Sequence, residues 1–183
     1  MYRITSEYVD ELRREGYDLW TISLWEEWLL WMPQLDSAIS QIEPAFRDVK
    51  LGDGIGLREA DAIDGYALEA EKAEQREQDE KYDWRKIDSQ ALNRNYVAPT
   101  YFDAKGFVFH LPAFLLAELN GEYEWDFIDE LIQKHRLSTE WMGLLNEPQR
   151  NAIINVLDVL RHHPSYFDQS QKFDLAIERI KRP

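Results

Sequence analysis

The chain has 183 residues, long enough for one domain with a sizeable core, and 44% of them are hydrophobic, including seven Trp, nine Tyr and eight Phe, which excludes disorder as the default. Thirty-five acidic residues against 21 basic ones leave a formal charge of −14, a balance that disfavours binding to nucleic-acid phosphates or anionic membranes, both of which need a positive surface, and fits a basic partner. With no cysteine there is no disulfide, thiolate nucleophile, iron–sulfur cluster or Cys-based zinc site, which fits a reducing compartment.

The opening stretch, MYRITSEYVDELRREGYDLW, mixes charges of both signs and lacks the apolar core of a secretory signal, so a cytoplasmic location is expected. Ser6 can cap a helix to about Glu15, with Gly16 as its stop. LWTISLWEEWLLWM follows and holds four of the seven tryptophans. Trp20, Leu24, Trp28, Trp31 and Leu35 fall on one helical face, with Trp25, Leu29 and Met32 beside them. The run is too short for a bilayer and is interrupted by Glu26 and Glu27. It reads either as a stripe on the core or as an aromatic face, around Trp25, Trp28 and Trp31, for a partner or a second copy. The expected organisation is a Trp-rich helical segment, 1–35, packed on a helical core domain, 36–183.

Within the core domain, Ile39, Ile42 and Phe46 keep helical register, and Pro44 bends that segment or starts a new turn. A glycine loop, LGDGIG, leads into a long helix over roughly 57–80 with a narrow face of Leu57, Ala60, Ile63, Ala67 and Ala70. TYFDAKGFVFHLP predicts a hairpin near 100–110, two aromatic strands joined by Asp103–Gly106. Pro112 then suits the first turn of PAFLLAEL, a helix apolar nearly all round, which Asn120-Gly121 ends. Helices follow over 125–136 and 139–145. Asn146 and Gln149 form a capping box that opens a helix to about His162, closed by Pro164, and Phe173, Ile177 and Ile180 mark a last helix. The fold class is mainly α (α+β), a single helical domain with one small β-hairpin.

The glycine loop invites a phosphate, but its glycines are Gly52, Gly54 and Gly56, Asp53 lies among them, and no Lys follows. Glu59, Asp61 and Asp64 already complement the helix dipole that a phosphate would use. Calcium fails on register: with Gly54 as the turn glycine the ligand positions become Val49, Leu51, Asp53 and Ala60. The loop, with Asp53, Arg58, Glu59 and Asp61 as its residues of interest, reads as a turn and helix entry.

AFRDVKLGDGIGLREADAIDGYA, DEKYDWRKI, YFDAKGFVFHLPAFLLAEL and LNEPQRNAIINVLDVL together resemble an uncharacterised bacterial domain-of-unknown-function family, DUF6714, over roughly residues 39–160. The resemblance implies no established activity and transfers no catalytic residue. The Trp-rich segment lies outside it.

His110 is the candidate for chemistry, with Asp103 across the expected hairpin as a possible acid–base partner; the alternative is a hydrogen-bonded core histidine. His162 and His163 are adjacent and not on one helical face, which suits cations at a helix end better than joint metal ligands, and His135 reads the same way. No cofactor or metal is expected. Charge is uneven: residues 59–83 carry ten acids against Lys72, Arg76 and Lys81, and Glu71, Glu74 and Glu77 have no evident core role. That stretch is either a solvated face or a docking surface for a basic protein. The leading expectation is an acidic protein-binding protein, of the immunity or antitoxin type that neutralises a toxin. An enzyme using His110 with a carboxylate and a homo-oligomer built through the Trp-rich segment are the alternatives.

Overall fold

A computed structural model describes residues 1–133 and 139–182, and helices are the regular structure throughout those residues. α1 (Ser6–Arg14) stops at Gly16, whose φ of +81° costs a glycine little. Asp18 then caps α2 (Leu19–Leu29) by accepting the N–H groups of Trp20 and Thr21, each at 3.0 Å. The Trp-rich run is not one helix. At Leu30 and Trp31 the backbone tightens to i→i−3 bonds (Leu30 N to Glu27 O, Trp31 N to Trp28 O), and α3 (Met32–Phe46) starts afresh with Pro33 in its first turn. Pro44 sits in the last turn of α3, where the helix is about to end.

α4 (Leu57–Asp64) and α5 (Glu69–Gln78) replace the long helix expected over 57–80. The break is at Gly65–Leu68, where Tyr66 takes a left-handed conformation (φ 55°) and the Ala67 N–H reaches back to Ala62 O at 2.9 Å. Those carbonyls at the end of α4 find partners only if the chain turns, and a periodicity built on Ala67 and Ala70 overlooked this. α6 (Ser89–Arg94) is a short bridge to the central helix, α7 (Ala104–Leu119).

The expected hairpin near 100–110 does not form; among the described residues there is no strand, and α7 occupies that stretch. Asp103 is its N-cap, accepting the Gly106 N–H at 2.8 Å. The same Asp-to-backbone bond that would close a turn thus opens a helix. The run from Phe107 to Ala117, apolar apart from His110, fits a buried helix as well as a strand, and a lone two-stranded hairpin has little stability of its own. Pro112, expected in a first turn, lies mid-helix, where α7 gives up one backbone bond. Packing compensates, since twelve of the sixteen residues of α7 are buried.

α8 (Phe127–Ile132) begins at its cap Asp126; the end of the helix expected over 125–136, with His135, lies outside the described residues. α9 (Thr139–Leu144) and α10 (Glu147–Leu160) follow, and the Asn146–Gln149 capping box forms in both directions at 2.9 Å. A 3-10 turn at Pro164–Tyr166 leads into α11 (Ser170–Lys181). α10 packs along α3 and against α11, while α7 packs on α3, α8 and α9. Trp28, Phe46, Phe109, Phe114, Phe127 and Phe173 fill the interior.

Candidate functional site

The glycine loop meets the start of α7 backbone to backbone. Asp103 Oδ1 accepts both Ile55 N (3.0 Å) and Gly106 N (2.8 Å), and Lys105 pairs with Asp53. A Cβ at Gly106 would strike the Ile55 carbonyl oxygen, and one at Gly54 would lie 2.8 Å from both Gly106 N and Lys105 Cβ. The glycines serve this close approach. At the N-terminus of α4, where a phosphate would sit, the chain supplies its own anion. Asp79 accepts Arg58 N at 2.8 Å and Glu59 N at 3.2 Å, and burial raises its carboxyl above the ordinary range. Asp79, twenty residues away, was not legible as this partner. Glu59 is buried and forms an ion pair with Arg76, Arg58 reaches Gln78 at 3.3 Å, and Asp61 points to solvent.

These contacts hold α5 onto α4, and α5 itself buries none of its residues. Glu71, Glu74 and Glu77 are exposed; Glu71 accepts Leu68 N at 3.0 Å and Glu77 faces Lys81 at 3.8 Å. The helix is flanked in sequence by exposed apolar side chains, Tyr66 (94% exposed) and Leu68 before it and Tyr82 after it.

His110 is 1% exposed. Its Nδ1 donates to Gly106 O (2.7 Å), its ring stacks on Phe102 (4.4 Å), and burial lowers its pKa to about 4. The Asp103 carboxylate is engaged with backbone N–H groups instead of the imidazole. His110 is therefore a neutral ring sealed in the core, while Asp103 is an exposed helix cap at the surface.

The Trp residues divide. Trp28 is wholly buried and donates its indole N–H to Tyr2 O (2.8 Å). Half-buried Trp31 stacks on His162 (4.0 Å), and half-buried Trp25 lies edge-on to Tyr8 and His163. Burial lowers the pKa of both His162 and His163, that of His163 to about 4. His163 Nδ1 accepts Ser165 N and its Nε2 donates to Met1 O, each at 3.1 Å.

The structure also gathers a cluster that sequence reasoning passed over. A cleft of about 670 Å³ is walled by the N-terminal segment, the end of α7, the 120–126 corner and the 163–169 turn. At its base Glu118, 4% exposed, accepts the Tyr2 hydroxyl on Oε1 (2.7 Å) and the Phe127 and Ile128 N–H groups on Oε2 (2.7 and 3.0 Å). The Tyr2 and Tyr166 hydroxyls are 2.7 Å apart, and Tyr166 donates to Asp126 Oδ1 at 3.3 Å. Burial lifts the Glu118 carboxyl to about 8, against the pull of its three donors, and raises Tyr123 and Tyr166 as well. A single carboxylate in the otherwise apolar PAFLLAEL was the available signal: on so central a helix it had to be buried and partnered. Among the described residues no group of three or more metal-ligating side chains is arranged to hold an ion, and no helix is long and apolar enough to cross a membrane.

An all-helical domain whose Gly54 loop is locked against the Asp103 cap is the class these observations define. The chain belongs to the family of unknown function DUF6714, whose model matches residues 34–180, from α3 to the end of α11. No curated protein and no solved structure matches it. The DGIGL and FDAKGF segments that carried the resemblance are the two sides of the glycine junction, so the most recognisable residues have a packing role.

Proposed function

We propose that the protein is a cytoplasmic binding protein that docks a basic partner protein along α5. The observation that carries this reading is a ten-residue helix with no buried residue. Such a helix gains little from the hydrophobic effect and is marginal in isolation, yet the Glu59–Arg76 pair and the Asp79 cap hold it on the body. Its exposed carboxylates present a negative field, and Tyr66, Leu68 and Tyr82 beyond its ends supply the apolar contacts that charge alone lacks. A partner with a basic surface and apolar recesses matches both features. Neutralisation of a toxin, the immunity or antitoxin role, is the particular form proposed.

The test uses wild-type protein and Glu74→Lys/Glu77→Lys protein as paired baits in lysate of the cell that makes it. The expected result is a basic protein retained by the wild type and lost by the variant. Expressed alone, that protein should arrest growth, and co-expression of the wild type should relieve the arrest. Identical retention by both baits contradicts docking along α5; a harmless partner contradicts the toxin form alone.

A further inference from the structure

One phenol in the wall of the cleft has no partner of its own. Tyr123 is only 9% exposed, its ring set edge-on to Phe114 at 5.2 Å, yet its hydroxyl makes no hydrogen bond among the described residues. No side-chain oxygen or nitrogen among those residues is both fully buried and unpartnered, so the accessible part of Tyr123 includes its hydroxyl, which opens into the cleft. Burial first, and then the charges of Glu118, Glu130 and Asp126, raise its pKa, which puts the phenol near carboxylates to which it donates nothing.

Those carboxylates are fixed in place but not neutralised. Glu118 is pinned by the Tyr2 hydroxyl and two backbone N–H groups. Asp126 accepts Asp129 N (2.7 Å) and the Tyr166 hydroxyl (3.3 Å), both on Oδ1, so Oδ2 keeps acceptor capacity. Neither carboxylate, nor Glu124 in the same wall, pairs with a Lys or Arg among the described residues. Of the cations in these walls, Arg3 is drawn to Asp36 at 3.0 Å, and the Met1 amino group lies towards His163.

We propose that this cleft binds a small organic amine in its ammonium form, with its N–H groups accepted by the Tyr123 hydroxyl and the Asp126 and Glu118 carboxylates. An ammonium has three donors and no acceptor, which suits three oxygen-bearing groups gathered at one place. Water would satisfy the phenol and leave the charges unpaired. A cation also offsets the repulsion that Asp126 adds to burial at Glu118, and draws that carboxyl, lifted to about 8, back towards its charged form. Trp125, half exposed in the cleft wall and steadied by its stack on Tyr96 (4.0 Å), offers an aromatic surface to the carbon part of the amine. About 670 Å³ is room for a small molecule.

The test is isothermal calorimetry of the whole protein with benzylammonium, butylammonium and putrescine, with benzyl alcohol and sodium ions as controls. The wild type should give a saturable heat with an amine and none with either control. Tyr123→Phe should weaken binding by about tenfold at unchanged Tm, because the hydroxyl has no bond in the fold to lose. Asp126→Asn, which keeps a side chain able to cap α8, should weaken it by a similar factor. No saturable heat from any of the three amines, or equal binding of benzyl alcohol or sodium, overturns the amine site. Amine binding by Tyr123→Phe as tight as by the wild type, or a fall of several degrees in its Tm, overturns the assignment of the hydroxyl to a ligand.

Discussion

Replacing a helical glycine by alanine should have opposite signs at two positions in this protein. Gly106, in the first turn of α7, has the Ile55 carbonyl directly where a Cβ would go, with Asp103 Oδ1 at 3.0 Å and the Ile55 carbonyl carbon at 3.2 Å. Gly143, in α9, has nothing within 4 Å of that point. Alanine gains up to about 1 kcal/mol of helix propensity over glycine at an interior position. At Gly106 the obstacle is backbone, which cannot swing aside. Relieving it displaces the loop and strains the two bonds to Asp103, each worth about 1 kcal/mol, on top of roughly 1–3 kcal/mol for overpacking. Gly106→Ala should therefore destabilise by about 2–3 kcal/mol net, and Gly143→Ala should stabilise by about 0.5 kcal/mol. At roughly 2–4 °C per kcal/mol, calorimetry should show a fall in Tm of about 5–10 °C for the first and a small rise for the second. A Gly106→Ala protein as stable as the wild type would refute the account of the glycine junction.

The buried Glu118 carries its own stability signature. Its folded pKa, about 8, is above its unfolded value, so the stabilisation linked to its proton is complete below the unfolded pKa and is lost as pH rises through 8. Between about pH 5.5 and 7 the unfolding free energy of the wild type should decline against that of Glu118→Gln by about 1.4 kcal/mol per pH unit, with a slope that fades as pH passes through 8; parallel urea-unfolding profiles would contradict this. His110 and His163 act in the opposite sense, because their folded pKa values of about 4 lie below the unfolded 6.5. Their stabilisation is complete above 6.5 and falls away as pH drops towards 4, by roughly 3 kcal/mol per ring at the limit. Urea midpoints at pH 7 and 4.5 measure the loss, and ¹⁵N NMR should find the neutral Nδ1–H form at His110 and the Nε2–H form at His163.

Local signals were legible where one residue does one thing. Gly16 stops α1, Asn146 and Gln149 cap α10 reciprocally, and Phe173, Ile177 and Ile180 line the buried face of α11. Legibility failed where a signal serves two structures. Asp103 and Gly106 can close a turn or cap a helix, and the choice between them was made by burial of the run after them, a tertiary fact. Helical periodicity runs straight through Gly65, although that residue precedes the left-handed Tyr66 that ends α4. The aromatic face expected at Trp25, Trp28 and Trp31 is divided by depth, with Trp28 in the core and the flanking two half-buried, a difference that helical spacing alone does not carry. The Glu118 chain links residues 2, 118, 126 and 166 and has no local trace except the isolated carboxylate itself.

Docking along α5 is tested most directly by association kinetics between the purified protein and the basic partner its wild-type form retains. Glu71 caps α5 through Leu68 N, so Glu71→Lys/Glu74→Lys/Glu77→Lys also removes about 1 kcal/mol of helix-start stability, whereas Glu74→Lys/Glu77→Lys leaves the cap in place. Exposed charge changes of this kind usually move stability by about half a kcal/mol or less, so both variants should fold. The account predicts slower association for both, about tenfold or more at low salt, with a dissociation rate changed far less and a difference that shrinks as salt is added. Association of either variant as fast as the wild type at low salt would contradict the assignment of α5 as the docking face.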